Sequence, residues 1–163
     1  MRKLHYGIEN QAHLIECIRK AVATFGGGHK AKQLLAGTCC VESDFGTFPD
    51  KHLDKLGVGV TQFDRIGFDD VKLRTRTKHK KKFFRGYGID MNTVQLEDLA
   101  YNPELALAFT RLKYILIPEA IPSCVESQAS YWKTHYNSYH PNAAGSVKKY
   151  MEDWNRFAPV CFR

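Results

Sequence analysis

Asn102-Pro103-Glu104 constrains the fold more than any other stretch of this chain. An Asn side chain can cap free N–H groups at a helix start. Pro at the first helical position has the required φ and no N–H to leave unpaired, and the acid that follows faces the positive end of the helix dipole. With Pro118 closing the segment, the spacing predicts a helix over Asn102 to Ile117. Further helix signals surround it. Asn10 can cap a segment to about Thr24 whose Leu14, Ile15, Ile18 and Val22 share one face, ended by Gly26-Gly27-Gly28. Residues from about Lys30 to Val41 read as a buried helix, with Leu34, Leu35, Cys39 and Val41 among small residues. Ser123 and Glu126 have capping-box spacing for a helix to about Tyr136, and Val147, Tyr150, Met151 and Trp154 form one stripe of a last helix.

Strand signals are thin. Residues 45–63 are Gly-rich, contain Pro49-Asp50 and read as an irregular stretch with room for a short hairpin. Lys72 to Thr77 alternates, but its single Leu is too little to make a strand. At 163 residues the chain can bury a core without covalent staples. The expectation is one mainly α domain spanning residues 1–163.

Composition narrows the chemistry. Five cysteines, an odd number with Cys39 and Cys40 adjacent and no C-x-x-C, argue against a disulfide framework or a zinc site, so buried thiols are expected and no metal. The net charge of +7 belongs to one segment. Lys72, Arg74, Arg76, Lys78, Lys80, Lys81, Lys82 and Arg85 stand together with no acid among them, leaving the remainder at about −1. Such a segment suits an anionic polymer or lipid surface, and equally a solvated helix face. No apolar run reaches membrane-spanning length, and Met1 to Tyr6 lacks the apolar core of a secretory signal.

The irregular stretch begins at a carboxylate. Glu42 follows the apolar run Leu34 to Val41 and falls near a helix C-terminus. Desolvation and the negative end of the dipole both favour its protonated form, as a general acid for glycosidic cleavage requires. Twenty residues on, Gly57-Val58-Gly59-Val60-Thr61 leads into Gln62-Phe63-Asp64. Gly57 and Gly59 permit positive φ and close approach to a sugar, Thr61 and Gln62 offer polar groups for sugar hydroxyls, and Asp64 is a second carboxylate. Tyr131, Trp132, Tyr136, Asn137, Tyr139 and His140 add an aromatic and amide cluster, of which Tyr131 or Trp132 at least is expected in the core.

Glu42-Ser43-Asp44-Phe45-Gly46, then Gly59-Val60-Thr61-Gln62, resembles the E-S…G-L-M-Q signature of soluble lytic transglycosylases and goose-type lysozymes. Gly46 and Gln62-Phe63-Asp64 match the goose-type details E-S-x-x-G and Q-x-D, and Tyr136-Asn137 resembles the A-Y-N element with His135 in place of Ala. Val60-Thr61 departs from Leu-Met, and the basic segment has no counterpart. The likeness runs over roughly residues 30 to 157.

The resemblance implies a lysozyme-like fold and cleavage of the β-1,4 bond between N-acetylmuramic acid and N-acetylglucosamine, with no cofactor and bacterial peptidoglycan as partner. Glu42 would be the general acid, Ser43 would support the backbone, Gly59, Thr61 and Gln62 would meet substrate, and Tyr136 and Asn137 would line the cleft. Asp64 would activate water, favouring a muramidase over a transglycosylase, whose nucleophile is the sugar's own C6 hydroxyl. Asp44, Asp50 and Asp54 lie close enough in sequence to serve instead. The small size and missing leader suit a bacteriophage endolysin or virion-associated lysin, monomeric, made in the host cytoplasm and acting on the wall. Two other classes compete: a wall amidase or peptidase, for which no H-E-x-x-H is present, and a nucleic-acid-binding protein using Lys72 to Arg85 with Phe83, Phe84 and Tyr87 as stacking partners.

Overall fold

The computed structural model describes residues 2–49, 57–137 and 143–163, and it is mainly helical. Helix α1 (Gln11–Phe25) is capped by the Asn10 side chain, which accepts the His13 N–H at 2.8 Å. It buries Leu14, Cys17, Ile18, Ala21, Val22 and Phe25, then stops at Gly26, whose φ of 84° is the left-handed conformation that glycine tolerates. Helix α2 (Gly28–Ser43) starts earlier and ends later than its apolar run suggests, and an unbroken stretch from Leu34 to Cys40 is buried.

The predicted central helix is present as α5 (Pro103–Ile115), with Asn102 accepting the Leu105 N–H at 3.1 Å. It is buried almost all round, as a helix enclosed by others must be, and packs on α1, α2 and α3 (Arg65–Arg74). Its buried Arg111 donates from Nε to the Gly26 carbonyl at 2.8 Å, so a cation meets the free carbonyls at the end of α1. Helices α6 (Val125–His135) and α7 (Ala143–Phe157) complete the bundle against α2. Tyr150 of α7 crosses α2 at Gly37, where an added Cβ would lie 1.8 Å from Oη.

Local expectations fail where tertiary contacts decide. Helix α6 starts one residue later than Ser123 would place it. Cys124 is the extended N-cap residue and makes no capping bond, so the Ser123–Glu126 box does not form. The buried Gln128 amide sets the start instead, donating to the Pro122 carbonyl at 3.0 Å and to Gln33 on α2 at 3.1 Å. Cys17, Cys39 and Cys40 are buried thiols, but Cys124 and Cys161 are exposed.

The irregular stretch contains the short hairpin, with β1 (Gly57–Val58) pairing antiparallel to β2 (Phe63–Asp64). The basic segment is helix: it completes α3 and builds α4 (Thr77–Tyr87). Helix α4 is held to α1 by Phe83, its one buried residue, which stacks on Tyr87 at 4.9 Å. It has no side-chain cap and no acid in its first turn. Among the described residues no helix is long and apolar enough to cross a membrane.

Candidate active site

Glu42 occupies the last turn of α2 and keeps partial solvent contact. Directly after it the chain takes three consecutive left-handed residues, Asp44 (φ 48°), Phe45 (φ 54°) and Gly46 (φ 84°). Ser43 holds that turn. Its buried Oγ lies 2.8 Å from the Val60 carbonyl and 3.0 Å from the Cys39 carbonyl, and it accepts the Gly46 N–H at 3.0 Å. Glycine suits position 46 because its φ of 84° is strained for other residues, and a Cβ there would also push on the Ile8 Cδ1 at 2.4 Å. Ser43 thereby ties the end of α2 to the hairpin turn. In that turn Gln62 is also left-handed (φ 49°) and donates from Nε2 to the Gly59 carbonyl at 2.9 Å. Three of the four non-glycine residues with positive φ among those described thus flank Glu42 and Asp64. Each such residue costs about 1–2 kcal/mol and persists only where its surroundings enforce it.

The wall beside this turn comes from α5 and the end of α6. The Tyr136 hydroxyl donates to the Thr61 carbonyl at 2.7 Å, and its ring stacks on Tyr114 with centroids 5.5 Å apart. The Thr110 hydroxyl lies 2.8 Å from Thr61 Oγ1, and Tyr114 Oη lies 2.8 Å from Thr38 Oγ1 on α2. The Lys113 ammonium is 4.3 Å from the centroid of the Tyr136 ring and 5.5 Å from that of Phe63.

Electrostatics single out Glu42. Burial drives its carboxyl from 4.5 up to about 8. The Trp132 indole N–H, Lys113 and Lys149 act against the rise, and Asp64 adds to it. The buried Trp132 Nε1 finds no acceptor at hydrogen-bonding geometry among the described residues, so its influence on Glu42 is that of a nearby dipole, short of a formed bond. Burial therefore favours the protonated carboxyl at neutral pH. Burial lowers the Lys113 pKa, while Asp64, Glu42 and Asp70 oppose that fall, yet the ammonium closes no ion pair with any of them. Glu42 is therefore a protonated acid near a cation that closes no ion pair among the described residues, with a route to solvent.

Several of the expected site residues lie inside the fold. Ser43, Thr61 and Tyr136 are buried, and their hydroxyls are engaged inside the protein. These three residues shape the site without presenting hydroxyls to a ligand. Gly59 is left-handed as expected, but the backbone it approaches is the protein's own: a Cβ would lie 2.4 Å from the Leu99 carbonyl oxygen. Gly57 is not left-handed, and its lack of a Cβ makes room for Gln62. Gln62 and Asn137 are partly exposed, and the Asn137 carbonyl accepts from Lys133 Nζ at 3.0 Å. Asp64 has a structural task as the N-cap of α3, with Oδ1 accepting the Gly67 N–H at 2.6 Å. Asp44 is itself the first residue of the left-handed turn, while Asp50, Asp54, Tyr139 and His140 lie outside the described residues.

Thr110, Lys113 and Tyr114 were not anticipated from the sequence. Their i, i+3, i+4 spacing is a polar stripe within an otherwise apolar helix, the signal by which they were legible. Comparison with protein-family models, curated proteins and solved structures finds no match.

Proposed function

We propose that this chain cleaves the glycan strands of bacterial peptidoglycan, with a lysozyme-like fold of the goose-type or lytic-transglycosylase kind and Glu42 as general acid. The observation that carries the reading is the Glu42 carboxyl, raised to about 8 by burial yet reachable from solvent just before a strained turn. Proton transfer from Glu42 to the glycosidic oxygen lets the leaving sugar depart as an alcohol while positive charge develops on the ring. Lys113, Lys149 and the Trp132 N–H dipole favour the Glu42 carboxylate that remains. These groups lower the cost of giving up the proton without removing it in the resting state.

The second step needs a nucleophile. Asp64 Oδ1 is engaged as the α3 cap, which fixes the carboxylate in place and leaves Oδ2 to accept a proton from water. This arrangement favours hydrolysis over attack by the sugar's own C6 hydroxyl. An endolysin role, acting on the wall as a monomer, accords with this chemistry. Digestion of purified sacculi followed by mass spectrometry of the fragments tests it. New reducing ends at N-acetylmuramic acid are expected. Anhydro ends would transfer the reading to a transglycosylase, and unchanged sacculi would reject it.

A further inference from the structure

The basic segment remains unexplained by a glycan site, and its geometry supports a second, separable role. Helix α4 turns Phe83 inward, which leaves Lys78, Lys81, Lys82 and Arg85 together on the outward arc. Lys72, Arg74 and Lys80 have partners in the Val94 carbonyl, Asp70 and Asn92. Arg76, Lys78, Lys81, Lys82 and Arg85 have neither an ion pair nor a hydrogen bond among the described residues. Lys78 and Lys82, and Lys81 and Arg85, are like charges at i, i+4, where they repel. Cations also crowd the uncapped N-terminal end of α4, where the helix dipole opposes them. The crowding is felt next door: His79 is lowered first by burial and then by Lys78, Lys82, Arg111 and Arg76. Among the described residues no ion pair offsets these repulsions at Lys78, Lys81, Lys82 or Arg85.

The apolar content of the same face decides between anionic partners. Of the three aromatics in the segment, Phe83 is fully buried, and Tyr87 is enclosed between Phe83 and the Lys20 ammonium, 4.6 Å from its ring. Phe84 alone faces out, 60% exposed, in an open groove of about 660 Å³ lined also by Thr77, Lys80, Lys81, Arg85 and Asp90. One lone aromatic is a poor stacking platform for successive bases. A polymer of phosphates would have no use for it. An exposed Phe rimmed by lysines is the pattern of a helix that lies on a bilayer, its ring among acyl chains and its cations among headgroup phosphates. Leu73 and Ile89, near the two ends of the segment, are exposed as well.

We propose that the outward face of α4 docks this protein on an anionic phospholipid bilayer through Lys78, Lys81, Arg85 and Phe84. The role is independent of any chemistry at Glu42. It is tested with the full chain and sedimented vesicles, one set of equal parts phosphatidylglycerol and phosphatidylethanolamine, the other of phosphatidylcholine alone. Binding is expected to the anionic vesicles only, to fall at least ~10-fold in the K81E/R85E double variant, and to fall several-fold in Phe84→Ser. These side chains are exposed, so thermal melts should match wild type. In Phe84→Trp, emission should shift to the blue on the anionic vesicles. Equal binding to both vesicle types, or none to either, overturns the proposal. So does a Phe84→Ser variant that binds like wild type while a single-stranded oligonucleotide competes the vesicles away, since the face would then read charge alone.

Discussion

Replacing Glu42 by Gln should make this protein more stable, and more so as pH rises. Below 4.5 the carboxyl is protonated in both the folded and unfolded chain and has little effect. Between 4.5 and about 8 the unfolded chain loses the proton while the folded chain keeps it, so stability falls with rising pH. Above about 8 the folded carboxyl ionises too, and the penalty levels off. The interval corresponds to ~5 kcal/mol at 1.36 kcal/mol per pH unit, reduced to ~2–3 kcal/mol because water reaches part of the group. Gln keeps the shape and removes the ionisation. Urea denaturation at pH 5 and pH 9 should show the variant gaining ~2–3 kcal/mol over wild type between the two, or about 5–10 °C in Tm for a chain of this size. Parallel stability curves for the two proteins from pH 5 to 9 would refute the claim that burial holds Glu42 protonated.

Other outcomes follow from single contacts. Gly37→Ala should cost about 1–3 kcal/mol in a thermal melt, because its Cβ meets the Tyr150 ring at Oη and Cζ, 1.8 and 2.3 Å away. Tyr150→Phe should partly rescue that loss and cost little alone, since the buried Tyr150 hydroxyl has no partner among the described residues. Asp64→Ala should lose ~1 kcal/mol of stability with the α3 cap, whereas Asp64→Asn should keep the cap and lose only the charge. A fall in wall cleavage with Asn at full stability would mark the charge as the functional property. The rate on soluble glycan fragments should decline as pH passes about 8, and Lys113→Met should move that decline to higher pH because Lys113 favours the Glu42 carboxylate.

The helices were legible where local chemistry dictates them. Asn10 and Asn102 cap as their sequences require, and the Gly26 stop and the Tyr150–Trp154 stripe are read directly from type and spacing. The start of α6 was not, because a buried Gln128 amide reaching Gln33 on α2, 95 residues away, outweighs a capping box. The basic segment hid two helices because its apolar anchors, Val71 and Phe83, are too few to make a periodic signal. At the candidate site, Glu42 was readable from its apolar run and helix end. The inward turn of Thr61 and Tyr136 was not, since polar type alone does not tell whether a hydroxyl meets a ligand or a carbonyl across the core. Lys113 was missed for a related reason, as a cation on an apolar helix gains meaning only once Phe63 and Tyr136 surround it.

The central claim is that Glu42 donates a proton to a glycosidic bond of the bacterial wall. The most direct test is a side-by-side digest of purified sacculi by wild type and Glu42→Gln, with fragments read by mass spectrometry and folding checked by melting. Wild type should release muropeptides with new reducing ends, and the variant, folded and at least as stable, should release none. Muropeptide release by the variant at the wild-type rate would contradict the account.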